Sequence, residues 1–207
     1  MKEAKISPSV VRRLPIYLRH VQDLLDAGID TVSSKEMGAK LDLNPAQIRK
    51  DLAYFGEFGR KGVGYEVEYL ARKLEQILHL DQQIRVALVG VGHLGMALSN
   101  YTRFQNERIT IAGLYDQDPK KMNMQVGKLR VKPLLKIEED AKTIGFQIGI
   151  IAVPAFSAQE VCDVMIRCGI RVILNFAPSS LKVPANIHVR STDMTTELQS
   201  LAYYISE

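Results

Sequence analysis

Glycines 90, 92 and 95 stand at the spacing Gly-x-Gly-x-x-Gly, with Val91, His93 and Leu94 between them. Residues at this spacing can hold the pyrophosphate of a dinucleotide. The first glycine lets the chain turn tightly, the second leaves bare backbone for the phosphates to approach, and the third lets the next helix pack close to its strand. A helix start also carries N–H groups with no partner inside the helix, which suit an anion. Asp116 follows about 20 residues later, where a carboxylate accepts hydrogen bonds from a ribose. A carboxylate there repels a ribose phosphate, and neither Gln117 nor Asp118 is a compensating base. The pattern therefore favours NAD(H) over NADP(H). A plain strand-turn-helix is the alternative use of these glycines.

A second set of residues suits nucleic acid. Ala46, Gln47, Arg49, Lys50, Ala53 and Tyr54 fall on one side of a predicted helix whose other side is Ile48, Leu52 and Phe55, at i, i+4 and i+7. Small residues permit close approach to a major groove, Arg and Lys reach guanine edges or phosphates, and Gln pairs with adenine. The solvated face of a small helical domain has the same composition. The next stretch, Gly56 to Tyr65, places Arg60 and Lys61 among four glycines. It suits a hairpin wing that reaches phosphates or a minor groove, with a flexible interdomain loop as the alternative.

Elements must hold these groups in place. Ser7 and Pro8 open a first helix with the stripe Val10, Leu14, Tyr17, Leu18, Val21, Leu24 and Leu25, ended by Gly28. Ser33 and Glu36 form a capping box for a short second helix, with Met37 and Leu41 as its core contacts. Asn44, Pro45 and Gln47 open the third in the same way. Val67, Leu70, Leu74, Ile77 and Leu78 make a closing helix, so residues 1–80 read as a winged helix-turn-helix domain. After the polar linker Asp81 to Gln83, strands are predicted at 84–89, 109–115, 128–131, 147–153, 171–175 and 187–190. Helices are predicted at 94–104, 133–143 and 157–168, the last capped by Ser157 with Glu160. This alternation gives an α/β chain with a Rossmann domain, a doubly wound parallel sheet, over 84–192. Ligands bind at the carboxyl ends of such strands. Val153 and Pro154 follow one strand and would lie along the cofactor. Asn175 ends another, where its amide either approaches a nicotinamide or caps a loop. A last helix, within 193–207, carries Leu198, Leu201, Ala202 and Ile205 on one stripe, which either packs home or meets a partner subunit.

Composition narrows the classes. The 207 residues are 46% hydrophobic and 24% charged, ample for a core and a solvated surface. No apolar run nears the roughly 18 residues of a membrane span, and Met1 to Lys5 hold no apolar signal core, so a cytoplasmic location is expected. Cys162 and Cys168 make no zinc pattern or disulfide framework and read as small helix residues, with a thiol switch as the alternative. Net charge is +4, yet residues 1–80 hold 13 Lys and Arg against 11 Asp and Glu, so placement rather than bulk charge argues for DNA. A small NAD-dependent dehydrogenase would need an acid or base beside the nicotinamide. None of His20, His79, His93 and His188 makes a recognisable pair with a carboxylate, no metal is expected, and about 125 residues leave no room for a substrate domain. A module for another nucleotide such as coenzyme A would not require Asp116.

The chain resembles the Rex family, bacterial redox-sensing transcriptional repressors. The likeness covers essentially the whole length. It rests on Val11 to Pro15 with Tyr17, on Ala46 to Leu52 with Tyr54 to Gly59, on the glycine motif with Tyr101, on Val153 to Ala155, on Leu174 to Phe176, and on Asp193 with Glu197 and Leu198. The run from Gln47 to Gly64 is the most specific part. The resemblance implies a homodimer on palindromic operator DNA, Rossmann domains binding NAD⁺ and NADH, and a C-terminal helix exchanged between subunits. It implies that NADH releases DNA while NAD⁺ is compatible with repression. It also implies a switch network near the nicotinamide formed by Tyr101 and Asp193, with Arg13 contributed by the DNA-binding domain, and no enzymatic activity.

Overall fold

Ser7 accepts a hydrogen bond from the Val10 amide and Pro8 fills the first helical position, which starts helix α1, Pro8–Asp26. The computed structural model describes residues 6–60, 62–102, 104 and 108–206. Strand β1 (Thr31–Val32) leads to α2 (Ser34–Leu41), whose capping box is complete: Ser33 Oγ accepts from the Glu36 amide at 3.1 Å, and Glu36 accepts from the Ser33 amide at 2.7 Å. Asp42, in left-handed geometry, ends α2, and α3 (Pro45–Ala53) follows at once. Asn44 caps α3 through the Ala46 amide at 2.8 Å, but Gln47 does not complete a box. Its amide instead donates along the helix to Asp51. Strands β2 (Gly59–Arg60) and β3 (Gly64–Glu66) pair antiparallel, and β1 joins β3, so the hairpin is a wing beside the helices. Helix α4 (Val67–Ile77) closes this part. Leu14, Tyr17, Leu18, Ile48, Leu52, Leu70 and Leu74 form its buried centre, where each filled aliphatic position contributes about 1.5–3 kcal/mol.

The chain divides into two units, Met1–Gln82 and Gln83–Glu207. In the second, β4 (Ile84–Val89), α5 (His93–Ser99) and β5 (Ile109–Asp116) are followed by the hairpin β6 (Gln125–Val126) and β7 (Leu129–Pro133). Then come α6 (Ile137–Ile144), β8 (Ile148–Ile151), α7 (Ala155–Arg167), β9 (Val172–Asn175), β10 (His188–Ser191) and α8 (Met194–Ala202). The sheet runs β10-β9-β8-β4-β5-β7-β6, parallel throughout except for the β6–β7 pair. Val86 and Leu88 face a core that includes Met96 and Leu98, while Ala87 and Val89 face one that includes Ile137, Val161 and Met165. That alternation covers both faces with helices. The chain leaves β4 for β5 on one side and returns to β8 on the other, so the carboxyl ends of β4 and β8 flank the switch point where such sheets bind ligands.

Several expected boundaries shift for local reasons. Helix α5 ends at Ser99 rather than 104: Asn100 leaves helical geometry, at φ −98° and ψ 6°, and the Tyr101 amide bonds the Leu98 carbonyl three residues back instead of four. Helix α7 starts at Ala155, with Pro154 at its N-cap. Ser157 already lies in the first turn and donates its amide to the Pro154 carbonyl, so Ser157 and Glu160 form no cap there. Helix α6 starts at Ile137, after the tighter turn Leu134–Lys136.

Candidate functional site

Strand β4 delivers Gly90 into the turn at φ +100°, a conformation that suits glycine. A Cβ there would meet the Ala152 carbonyl oxygen at 2.5 Å and Val153 Cγ1 at 2.8 Å, so the loops after β4 and β8 lie in close contact. A Cβ on Gly95 would overlap the Gly90 carbonyl oxygen, which is the tight helix-strand approach expected of the third glycine. Gly92 differs from both. Its φ is −85°, and a Cβ would meet nothing within 4 Å. The fold places no steric demand for a glycine at 92, and the bare backbone there leaves room for a group from outside the chain. Here the residues fit a pyrophosphate. His93 and Leu94 are exposed at the start of α5, and Val91 is buried.

Asp116 ends β5 at 7% exposure. Its Oδ2 accepts from the Val91 amide at 2.7 Å and from Lys121 Nζ at 2.8 Å, while Oδ1 accepts from the Asp118 amide at 2.9 Å. Burial raises the pKa of this carboxyl, but Lys121 and the two amides outweigh that and hold it below the ordinary aspartate value. The group is therefore an anion that keeps lone-pair capacity for a hydroxyl. The Val91 amide is spent on Asp116, so Val91 supports the site through the loop's shape. Lys121 corrects the sequence reading. A base does lie beside Asp116, five residues on rather than next to it, brought back by the short 3₁₀ turn Pro119–Lys121. A cleft of about 350 Å³ opens beside Asp116, walled by Leu134, Leu135 and Val164.

Val153 and Pro154 follow β8 against Gly90, at the same end of the sheet. Asn175 is fully buried. Its Nδ2 donates to the carbonyls of Ala177 and Ser179 and to Ser191 Oγ, and its Oδ1 accepts from the Ala177 amide. With its amide so committed, Asn175 caps the loop after β9 rather than offering a free group to a ligand. Tyr101 is half exposed and stands edge-on to Phe104 at 5.0 Å. Asp193 caps α8, accepting from the Thr195 amide at 2.9 Å and from Thr196 Oγ1 at 3.1 Å; these bonds lower its pKa. Arg13 belongs to the N-terminal unit, Tyr101 and Asp193 to the other. Cys162 is buried and its thiol is pushed up to about 11 by burial, which makes it unreactive.

In the N-terminal unit, α3 buries Ile48, Asp51 and Leu52 and exposes Ala46, Arg49, Lys50 and Tyr54, with Gln47 half-buried at the edge. Arg49 Nη1 donates to Ser34 Oγ at 2.9 Å. A groove of about 660 Å³ runs between α3 and the wing, with Arg49 and the exposed Arg60 on its lining. Lys61 lies outside the described residues. The sequence reading named Asp51 only as part of a family motif and gave it no role. Asp51 Oδ2 accepts from Arg13 Nε at 2.5 Å and Tyr17 Oη at 2.7 Å, and Oδ1 accepts from Arg13 Nη2 at 2.9 Å and Gln47 Nε2 at 2.6 Å. Burial raises its pKa, and the bonds from Arg13, Tyr17 and Gln47 more than reverse that. A carboxylate inside the stripe Ile48, Leu52 and Phe55 was the available signal.

Two family models match the chain: "Putative DNA-binding protein N-terminus" over residues 5–53 and "CoA binding domain" over residues 81–179. The redox-sensing transcriptional repressor Rex of Brevibacillus brevis is 49% identical over 205 residues, covering 99% of each chain. That of Chloroflexus aggregans is 46% identical over 197 residues, covering 95% of this chain and 93% of its own. A crystal structure of RSP in complex with beta-NAD+ and operator DNA superposes with a TM-score of 0.92 at 34% identity, over 97% of this chain and 92% of that one. RSP in complex with beta-NADH gives 0.86 at 32% identity, over 98% and 95%.

Proposed function

The chain belongs to the Rex family of redox-sensing transcriptional repressors, and on that footing we propose that it reads the NADH/NAD⁺ ratio and converts it into operator occupancy. One observation carries the reading. A single chain holds both an exposed cationic helix with a wing and a glycine loop whose open Gly92 stands at the same sheet end as an ionised Asp116. The relatives are repressors, not enzymes, and this chain acts by binding. The coenzyme A reading explains the loop but does not call for Asp116 as a ribose ligand.

In this reading Gly90, Gly92 and Gly95, with the start of α5, hold the pyrophosphate, and Asp116 holds the adenosine ribose. Val153 and Pro154 border the nicotinamide, whose ring is cationic when oxidised and neutral when reduced. Ala46, Gln47, Arg49, Lys50 and Tyr54 enter the major groove, and Arg60 on the wing, together with Lys61, meets the backbone. Tyr101 and Asp193 sense the nicotinamide, and Arg13 carries the signal from the DNA-binding unit. A ligand shifts such an equilibrium only by its differential affinity for the two states, ordinarily about 1–3 kcal/mol.

The functional unit in this proposal is a homodimer. Met194, Leu198, Leu201 and Ile205 are 61–83% exposed in one chain, with Leu201 the least and Ile205 the most. Helix α8 has no buried residue. An apolar face of this kind is covered by a second copy, and a two-fold dimer matches a palindromic site. A protein that reads both DNA and a free dinucleotide works in the cytoplasm. The test is retention of an inverted-repeat promoter fragment with and without NADH. Release by NADH supports the proposal, and failure to bind the fragment at any dinucleotide level refutes it.

A further inference from the structure

Asp51 occupies an unusual place, on the helix that faces DNA yet wholly inside the N-terminal unit. Three of its four hydrogen bonds come from α1: two from Arg13 and one from Tyr17. Those bonds fix the carboxylate from behind. The fourth comes from Gln47, one turn earlier on α3 and at the rim of its exposed face, at 2.6 Å.

A glutamine nitrogen carries two hydrogens. The bond to Asp51 uses one. It also settles which way the amide faces, because a carboxylate accepts from Nε2 and repels Oε1. When Asp51 takes the hydrogen anti to Oε1, the other hydrogen and Oε1 lie side by side as a donor-acceptor edge. Adenine presents the matching pair in the major groove, the N7 acceptor and the N6 amino group. An unanchored glutamine can turn its amide over and samples many rotamers, so it discriminates less.

We propose that Asp51 is a positioning residue for base readout: it holds the Gln47 amide in the orientation that reads adenine, and so sets sequence preference at one A·T pair of each half-site. The inference rests on the DNA-binding reading above. Asp51 itself touches no base.

The test uses the full-length protein and an inverted-repeat duplex selected by the wild type from a randomised pool. Each A·T pair of the half-site is replaced in turn, on both halves, and affinities are measured by fluorescence anisotropy. The wild type is expected to lose roughly 5- to 150-fold at the read pair, the ordinary cost of one mismatch. Gln47→Ala should lower that discrimination to about threefold or less and leave the other pairs unchanged. Asp51→Asn should do the same at the same pair, and the double variant should be no worse than either single one. Tyr17→Phe removes one anchor while keeping the ring, and should weaken discrimination at that pair by an intermediate amount. This second variant decides the matter if Asp51→Asn melts below the assay temperature. Uniform weakening on every duplex by Asp51→Asn, or full discrimination retained by folded Asp51→Asn or Tyr17→Phe, overturns the proposal. A wild type that binds DNA without any Gln47-dependent pair sinks only this inference; one that selects no duplex sinks the DNA-binding reading as well.

Discussion

Substituting alanine at Gly92 and at Gly95 separates a ligand cradle from an ordinary turn. At Gly92 the new methyl meets nothing within 4 Å, and φ −85° with ψ −165° is open to any residue. Two small effects on stability oppose each other. Alanine is a poorer helix N-cap than glycine, by a few tenths to about 1 kcal/mol, and it stiffens the unfolded chain by about 0.4–1 kcal/mol in the other direction. The melting temperature should therefore stay within about 3 °C of wild type. NADH affinity should not. A methyl on the backbone that faces the pyrophosphate disrupts at least one charge-assisted hydrogen bond, about 1.5–3 kcal/mol, or roughly 10- to 150-fold in Kd. At Gly95 the methyl overlaps the Gly90 carbonyl oxygen and comes within 3.3 Å of Leu88 Cδ2, so overpacking of about 1–3 kcal/mol lowers the melting temperature by roughly 2–12 °C. Titration calorimetry with NADH and thermal melts on the same preparations measure both. If Gly92→Ala binds NADH as tightly as wild type, the open space at Gly92 is not a phosphate cradle. If it melts like Gly95→Ala, the loop's glycines serve the turn alone.

Other expectations follow from the same geometry. Lys50→Ala should weaken binding to all duplexes, reduce the slope of log affinity against log salt by about 1, and leave NADH affinity unchanged; anisotropy across a salt series reads this. Leu198→Glu with Leu201→Glu should give a monomer in sedimentation without lowering the single chain's stability, since both side chains are exposed in it. Asp51 and Asp116 both titrate below the ordinary aspartate value of 3.8, so their stabilisation is complete above that value and is lost as pH falls through their lower folded values. Wild-type melting temperature should fall steeply below about pH 4, with a shallower fall there for Asp51→Asn.

Short-range rules reach some of these features and not others. Ser33 with Glu36 is legible because a cap and its return bond lie three residues apart. The glycine loop is legible because its spacing is local, and Gly90 and Gly95 each answer a steric demand of the turn. Lys121 was missed because its partner is chosen by a 3₁₀ turn that folds it back onto Asp116, and spacing alone does not state that turn. Gln47 satisfies the pattern of a capping box, yet buried Asp51 on the next turn competes successfully for its amide. Asp51 in turn depends on Arg13 and Tyr17, 38 and 34 residues earlier. Strand β7 matches the strand predicted at 128–131, but the two-residue β6 before it escaped strand-helix alternation, although Gly127, at φ +59° between them, marked the turn. Asn175 fits either a ligand or a loop cap by sequence, and only its four internal bonds assign it to the loop.

The most direct measurement holds total dinucleotide constant and varies only the NADH fraction while operator occupancy is followed by anisotropy. Occupancy should fall as the NADH fraction rises, should follow the ratio rather than the total, and should become insensitive in Gly92→Ala. Occupancy that stays level across the whole range of ratios, in protein that binds both operator and NADH, would contradict the account.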